Sequence, residues 1–132
     1  MINLKTGGLT QGEIEAILNA LPGDLTFVGP DDTVRYFNEP ERRLFSRSHA
    51  ILGTSVQSCH PEKSVPLVNK IISELKAGKA EAAESWANLD GRLASIRYFA
   101  VRDEAGRYLG CLELAQDVSS VREHLKNGPG HE

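Results

Sequence analysis

The chain has 132 residues, of which 40% are hydrophobic and 25% are charged, a composition typical of one ordinary globular domain with its own core. Its net charge of −3 excludes the broad basic surface with which proteins bind nucleic acids or anionic membranes. No segment approaches the run of about 20 apolar residues that spans a membrane, and the N-terminus lacks the apolar stretch of a signal peptide.

The first predicted element is a helix that follows a capping box at Thr10–Glu13. In a capping box the threonine side chain accepts from the Glu13 amide, and the glutamate reaches back to the Thr10 amide. Apolar residues then recur at helical spacing until Pro22, at Ile14, Ile17, Leu18 and Leu21. Because this helix is short and apolar on one side, we expect it to pack on the domain or on a second copy.

A hairpin and a short helix are predicted for the next segment. Strands at 24–28 and 33–37 flank a tight turn that is favoured by its proline and aspartates. Asn38 has the chemistry of an N-cap, so short helical turns are expected from there to Phe45. The basic residues of this region, Arg42, Arg43 and Arg47, are interpreted as a solvated helix face.

The longest helix is predicted to begin at Pro61, after a further turn near residues 48–52. Proline suits the first helical position because its missing N–H would lack a partner there. This places His60 at or next to the N-cap and Cys59 just outside the helix. An apolar stripe follows at helical spacing, at Val65, Val68, Ile71, Ile72 and Leu75. Gly78 is expected to end the helix.

Three strands are predicted after this helix, at 80–88, 93–102 and 108–116. The first has the weakest strand composition, because alanine and glutamate favour helices. Asp90-Gly91 strongly favours a hairpin between the first two strands. Since strands lie on both sides of a helical middle, the sequence predicts an α+β fold: an antiparallel sheet with helices on one face.

The predicted domain organisation has three parts. Residues 1–21 form an N-terminal helical cap, residues 22–118 form the core, and residues 119–132 form a short exit helix and a frayed tail.

The order of elements and the turns between them resemble a PAS domain. The resemblance is carried by Leu25–Asn38, Ile51–Gly53, Val101–Gly110 and Gln116–Ser119, and it covers about residues 12–119. It implies a five-stranded antiparallel sheet whose inner face and helices enclose a small pocket for a cofactor or metabolite. It also implies dimers formed through the N-terminal helix and the outer sheet face, and a sensor or interaction module, not an enzyme.

A narrower resemblance involves Gly53–Pro61 (Gly-Thr-Ser-Val-Gln-Ser-Cys-His-Pro) and Ile96–Asp103 (Ile-Arg-Tyr-Phe-Ala-Val-Arg-Asp). These segments are similar to PAS domains fused to hemerythrin-like cation-binding domains. No hemerythrin-like domain is present here, so any output is expected to pass through the terminal helices or through another protein.

His60 and Cys59 are the candidate cofactor-binding and metal-ligating residues. Imidazole is the commonest metal ligand, and either an imidazole or a thiolate can hold a haem iron in a large apolar pocket. Alternatively, His60 caps the helix and Cys59 is a small buried filler. A third interpretation is redox sensing by Cys59, because a helix N-terminus lowers a thiol pKa. Cys59 and Cys111 form neither a metal knuckle nor a disulfide framework, which favours the reducing cytoplasm.

Glu113 is a candidate ligand-binding residue because it lies among apolar residues of the last strand. The resemblance implies that Cys111, Glu113 and Ala115 face the pocket. A buried carboxylate must be paired, protonated or functional. Arg97 is its natural partner, either in a structural pair or as part of a polar anchor for a ligand.

Two tyrosines, Tyr36 and Tyr98, are further candidate cofactor-binding residues because a buried hydroxyl needs a partner. Most strand aromatics, including Trp86, are expected in the core. The strip formed by Leu112 and Leu114 is a candidate dimer surface.

The function expected from these observations is that of a cytoplasmic, homodimeric PAS sensory module. Its pocket, between the sheet and the helix after Pro61, would bind a small molecule, with haem as one candidate cofactor. Occupancy would reposition the terminal helices or signal to a partner protein; no nucleic acid or membrane is expected as partner. The alternatives are a ligand-free dimerisation module with a filled core and a redox sensor based on Cys59.

Overall fold

The structure is a computed structural model that describes residues 1–127, so the tail predicted from Asn127 onward lies almost wholly outside the described residues. The chain begins with a two-stranded hairpin, β1 (Ile2–Leu4) and β2 (Gly7–Leu9), which no sequence pattern predicted. Two of the three residues of β2 are glycines, so this strand lacks the alternation of apolar and polar residues that identifies strands.

Helix α1 (Gln11–Ala20) begins at the predicted capping box and ends before Pro22. Thr10 Oγ1 accepts a hydrogen bond from the Glu13 amide at 3.1 Å, and Glu13 Oε1 accepts one from the Thr10 amide at 2.9 Å. No residue of α1 is buried, and Ile17 is half exposed. The described chain therefore leaves much of the apolar side of α1 uncovered.

A five-stranded antiparallel sheet forms the frame of the fold, as predicted. Its strands lie in the spatial order 4-3-7-6-5, and they are β3 (Asp24–Val28), β4 (Val34–Phe37), β5 (Ala82–Leu89), β6 (Arg92–Arg102) and β7 (Tyr108–Asp117). The β3–β4 and β5–β6 pairs are the two predicted hairpins. Strand β7 is central, with β3 on one side and β6 on the other, so its inward side chains are the most enclosed.

Helix α2 (Val65–Ala77) packs its apolar stripe against the inner face of the sheet. The core consists of buried residues from this helix and from the sheet and loops around it, namely Val28, Val56, Val68, Ile71, Ile72, Leu75, Tyr98 and Cys111. Gly78 ends the helix with a φ of 74°, as predicted. The sequence pattern therefore identified the buried side of α2 correctly.

The start of α2 differs from the prediction, which put Pro61 in its first turn. Pro61 is extended, with a ψ of 143°, and α2 begins only at Val65 after a separate 3₁₀ turn. The reason is Pro66, because a proline has no N–H and is tolerated only in the first turn of a helix. His60 is consequently not the N-cap of α2; it follows a different 3₁₀ turn, Val56–Cys59.

The segment between β4 and α2 contains 3₁₀ turns but no α-helix, so the short helix predicted after Asn38 is wrong. Asn38 is fully buried. Its Oδ1 accepts from the Leu25 amide at 2.8 Å, and its Nδ2 donates to the carbonyls of Leu18 at 2.8 Å and Gly23 at 3.0 Å. Asn38 thus joins α1 to β3. The next predicted turn is present as the 3₁₀ turn His49–Ile51.

Helix α3 (Ser119–Lys126) follows β7 after one residue and lies within the exit segment predicted for residues 119–132. Trp86 lies on the edge strand β5 and is 58% exposed, so its expected place in the core is wrong. Among residues 1–127, no helix combines the length and the apolar character needed to cross a membrane.

Candidate functional site

A row of three buried polar side chains crosses the inner face of the sheet: Thr26, Glu113 and Tyr98. In the sheet register Glu113 lies between Thr26 on β3 and Tyr98 on β6, so all three point to the same face. Cys111 and Ala115, two residues before and after Glu113, are also buried. This burial confirms the inward face predicted for β7.

Two basic side chains from the loops between β4 and α2 face Glu113. His60 Nε2 lies 3.4 Å from Glu113 Oε2, and Arg47 Nη2 lies 3.7 Å from Glu113 Oε1. The side chains of His60 and Arg47 are 15% and 10% exposed. Arg47, His60 and Glu113 therefore form a buried group of charges, here called the Glu113 cluster, between the sheet and the loops.

The ring of His60 is held from both sides. Its Nδ1 lies 3.0 Å from the carbonyl oxygen of Val56, and its Nε2 faces Glu113. A hydrogen bond that His60 donates to the Glu113 carboxylate raises the pKa of His60 above its ordinary value and outweighs desolvation, which lowers that pKa. The cluster therefore carries two positive charges and one negative charge when His60 is protonated, and one of each when it is not.

Arg47 is the member of the cluster that the sequence interpretation missed. Its guanidinium lies over the Phe45 ring at 5.7 Å, and its Nε is buried without a hydrogen-bond partner among the described residues. The interpretation of Arg47 as part of a solvated helix face is wrong, because no helix forms there and the side chain turns inward. No local sequence pattern places residue 47 opposite residue 113.

Two further groups beside Glu113 are held in their neutral forms. Burial, with the nearby charge of Glu113, raises the pKa of the Cys111 thiol to about 12. Burial is the main cause that raises the pKa of Tyr98, and the charge of Glu113 raises it further. A hydrogen bond with Ser85 lowers this pKa but has a smaller effect. Cys111 is therefore a poor nucleophile, and the Tyr98 hydroxyl is available as a neutral donor or acceptor.

Two predicted site residues lie on the opposite, outer face of the sheet. Arg97 Nη2 donates to Gln116 Oε1 at 2.6 Å, so the predicted pair of Arg97 with Glu113 is wrong. Tyr36 pairs in register with Phe27 on this outer face, which also removes it from the cluster. The cause is the same in both cases: adjacent positions in a strand point to opposite faces, and the register of long-range pairing decides which face is inside.

Cys59 lies next to His60 in the chain but is not part of the cluster. Its half-buried thiol contacts the carbonyl oxygen of Ser55 at 3.8 Å. Within residues 1–127, no three side chains of His, Cys, Asp or Glu are arranged to hold a metal ion. The two nitrogens of His60 are both directed at protein oxygens, those of Val56 and Glu113.

Two of the cavities in the described chain have volumes of about 620 Å³ and about 390 Å³, and no residue of the Glu113 cluster lines either of them. The larger lies at the end of the sheet near the terminal helices, and the smaller opens beside Asp32 and Lys76. The Glu113 cluster therefore lies apart from both of these cavities.

A family model described as a PAS domain matches residues 14–119. The crystal structure of a C-terminal domain from Streptococcus mutans is 32% identical, with a TM-score of 0.85, and the match covers 93% of this chain and 96% of that one. A comparison with curated proteins gave no match.

Two other solved structures share the fold at low identity. A sensory box sensor histidine kinase from Vibrio cholerae has 16% identity and a TM-score of 0.57, with 80% of this chain and 89% of that one covered. The PAS domain of a protein from Colwellia psychrerythraea has 10% identity and a TM-score of 0.64, with 83% and 97% covered. The narrower resemblance to hemerythrin-fused PAS domains is not shown by these matches.

Proposed function

The chain belongs to the PAS domain family, and we propose that it is a sensory module that binds a small polar molecule at the Glu113 cluster. The observation that carries the proposal is the incomplete pairing of this buried cluster. The distances of Glu113 from His60 and Arg47, 3.4 Å and 3.7 Å, exceed those of good charge-assisted hydrogen bonds. Buried polar groups are normally satisfied, so unpaired ones indicate a missing partner.

The chemistry of the cluster limits what it would bind. Arg47 Nε offers an unused donor, and the Glu113 carboxylate is held only at 3.4 Å from His60 and 3.7 Å from Arg47, so its oxygens would accept a shorter hydrogen bond from a ligand. A molecule with both acceptors and donors would satisfy both groups. Tyr98, in the same row of the sheet, would contribute a neutral hydroxyl.

Because Glu113 lies on β7, ligand binding there would be transmitted along this strand to helix α3. Four residues later in the same strand, Asp117 Oδ1 accepts from the Ser119 amide at 2.9 Å, which ties the end of the strand to the first turn of α3. A shift of β7 on binding would therefore move α3. Through α3 the signal would reach a second copy of the chain or a partner protein.

Native mass spectrometry of the purified chain tests this proposal. We expect the wild type to carry a small-molecule adduct, and Glu113→Gln to lose it because the variant removes the acceptor charge. Glu84→Gln is the matched control, since Glu84 is exposed on β5, and it should keep the adduct. If the wild type shows only the mass of the chain itself, with no adduct before or after cell metabolites are added, the proposal is contradicted.

A ligand-free dimerisation module is the second candidate function. It is supported by apolar side chains that the described chain leaves uncovered, including Ile17 on α1 and Trp86 on β5. Sedimentation of the wild type and of Ile17→Glu would test it. Loss of a dimer in the variant, together with a bare native mass, would favour this function over ligand binding.

Haem and Cys59 redox sensing remain predictions, and the geometry favours neither. A haem iron at His60 would have to displace Glu113 from Nε2 or Val56 from Nδ1, so these residues do not fit the group as they stand. A Soret shift on adding haem that His60→Ala or Cys59→Ala abolishes would restore that prediction. Alkylation of Cys59 faster than that of a free peptide cysteine would support redox sensing.

A further inference from the structure

The larger cavity lies away from the Glu113 cluster, between the two terminal helices. It has a volume of about 620 Å³, which is within the range of small-molecule sites. Its walls come from the end of α1, the 40–44 loop, the start of β6, the end of β7 and the first residues of α3. It shares no lining residue with the cluster, so an inference about it is independent of the proposed function.

Two of the three carboxylates in the wall, buried Asp24 and exposed Asp117, already accept hydrogen bonds from backbone amides. Asp24 accepts from the amides of Leu44 at 3.1 Å and Phe45 at 3.0 Å, and Asp117 accepts from the Ser119 amide at 2.9 Å. These hydrogen bonds with Ser119 lower the pKa of Asp117, so its carboxylate stays charged. Asp24 and Asp117 are therefore committed to the protein's own backbone, and the third carboxylate of the wall, Glu41, is exposed to solvent.

The donors that line the cavity are not committed in this way. Arg43 Nη2 donates to the Asn38 carbonyl at 2.5 Å, but its Nη1 is buried without a hydrogen-bond partner and lies 3.8 Å from Asp24. The side chains of Arg42 and Arg92 also line the cavity and donate no hydrogen bond within residues 1–127, although the charge of Arg92 helps to lower the pKa of Asp117. Three guanidinium groups thus surround one cavity with donor capacity to spare.

We propose that this cavity binds a small molecule through a carboxylate or phosphate group. Guanidinium groups bind carboxylates and phosphates through planar, bidentate hydrogen bonds. A bound oxyanion would give the buried Nη1 of Arg43 the acceptor that it lacks. The cavity wall contains Leu21 just after α1 and Ser119 in the first turn of α3. A bound oxyanion would therefore hold the two terminal helices together.

NMR titration of the ¹⁵N-labelled full chain with inorganic phosphate, and separately with succinate, tests the proposal and distinguishes the two oxyanions. Saturable shifts are expected for amides around the cavity, such as those of Leu21, Leu44 and Ser120. Arg92→Gln should weaken binding about ten-fold, because it removes a charge-assisted hydrogen bond. Arg92 is exposed, so this variant is expected to fold.

Arg35→Gln is the matched control, because Arg35 is exposed on β4 and does not line the cavity. It should bind the probe like the wild type, and Arg42→Gln should weaken binding like Arg92→Gln. The proposal is overturned if neither probe shifts the cavity amides at millimolar concentrations. Equal weakening in Arg35→Gln and Arg92→Gln would also overturn it, since that result indicates general charge attraction.

Discussion

Glu113→Gln is expected to destabilise the fold strongly, because Glu113 faces two basic side chains that have little access to water. Arg47 and His60 are 10% and 15% exposed, and the variant leaves Arg47 buried without a counter-charge. Removing one partner of a buried ion pair costs about 3–5 kcal/mol. Because the separations of 3.4 Å and 3.7 Å are long, we expect the free energy of unfolding to fall by about 3 kcal/mol, at the lower end of this range. For a domain of this length, that corresponds to a melting temperature about 10 °C lower.

The destabilisation should also depend on pH in a defined direction. Folding gives His60 the partner Glu113, which raises its pKa in the folded state. The resulting stabilisation is fully present below the unfolded pKa of about 6.5 and is lost as the pH rises through the raised folded pKa. The wild type should therefore lose stability as the pH rises above about 6.5. Glu113→Gln should show a smaller loss, so the two proteins should differ more near about pH 6 than near about pH 8.

Urea unfolding followed by circular dichroism measures both effects, with Glu84→Gln as the control. Glu84 is exposed on β5, so its variant should keep the stability and the pH dependence of the wild type. The reasoning is refuted if Glu113→Gln is as stable as the wild type at every pH. It is also refuted if the stability of both proteins declines equally with rising pH.

Three more predictions concern the frame around the site. Asn38→Ala removes three buried hydrogen bonds to backbone groups and should cost about 3 kcal/mol in urea unfolding; a cost below about 0.5 kcal/mol would contradict that role. Gly110→Ala would place a Cβ 2.2 Å from the Val28 carbonyl oxygen, so its melting temperature should fall, and an unchanged value would show that this contact is absent. Leu75→Ala should cost about 2–5 kcal/mol and Leu67→Ala much less, because Leu75 is fully buried and Leu67 is 51% exposed; equal losses would contradict the placement of α2.

The regular elements were predictable because their signals are local. Alternation over residues 93–102 predicted β6, the Asp90-Gly91 turn predicted its hairpin with β5, and helical spacing predicted the buried stripe of α2. The start of α2 also depends on a local signal, because Pro66, and not Pro61, lies in the first turn of the helix. The missed β1–β2 hairpin, in contrast, has too few side chains to show any period.

Only part of the Glu113 cluster could be predicted, because its residues are far apart in the sequence and come into contact only in the folded chain. The resemblance to a PAS domain pointed Glu113 inward correctly, and His60 was identified as chemically suited to a site. The partner of Glu113 was not predictable: the sequence indicated Arg97, which also lies on a strand, whereas Arg47 belongs to an irregular loop. The role of Asn38 could not be predicted for the same reason. Its side chain links α1 to β3, whereas a capping rule considers only residues that are neighbours in the sequence.

The central claim is that His60 and Glu113 form one buried, electrostatically coupled site beneath the loops. NMR titration of the His60 imidazole in the wild-type chain measures this coupling most directly. A pKa clearly above the ordinary value of about 6.5 is the predicted result, because Glu113 outweighs desolvation. A pKa at or below that value would contradict the claim, since burial without an effective carboxylate partner lowers a histidine pKa.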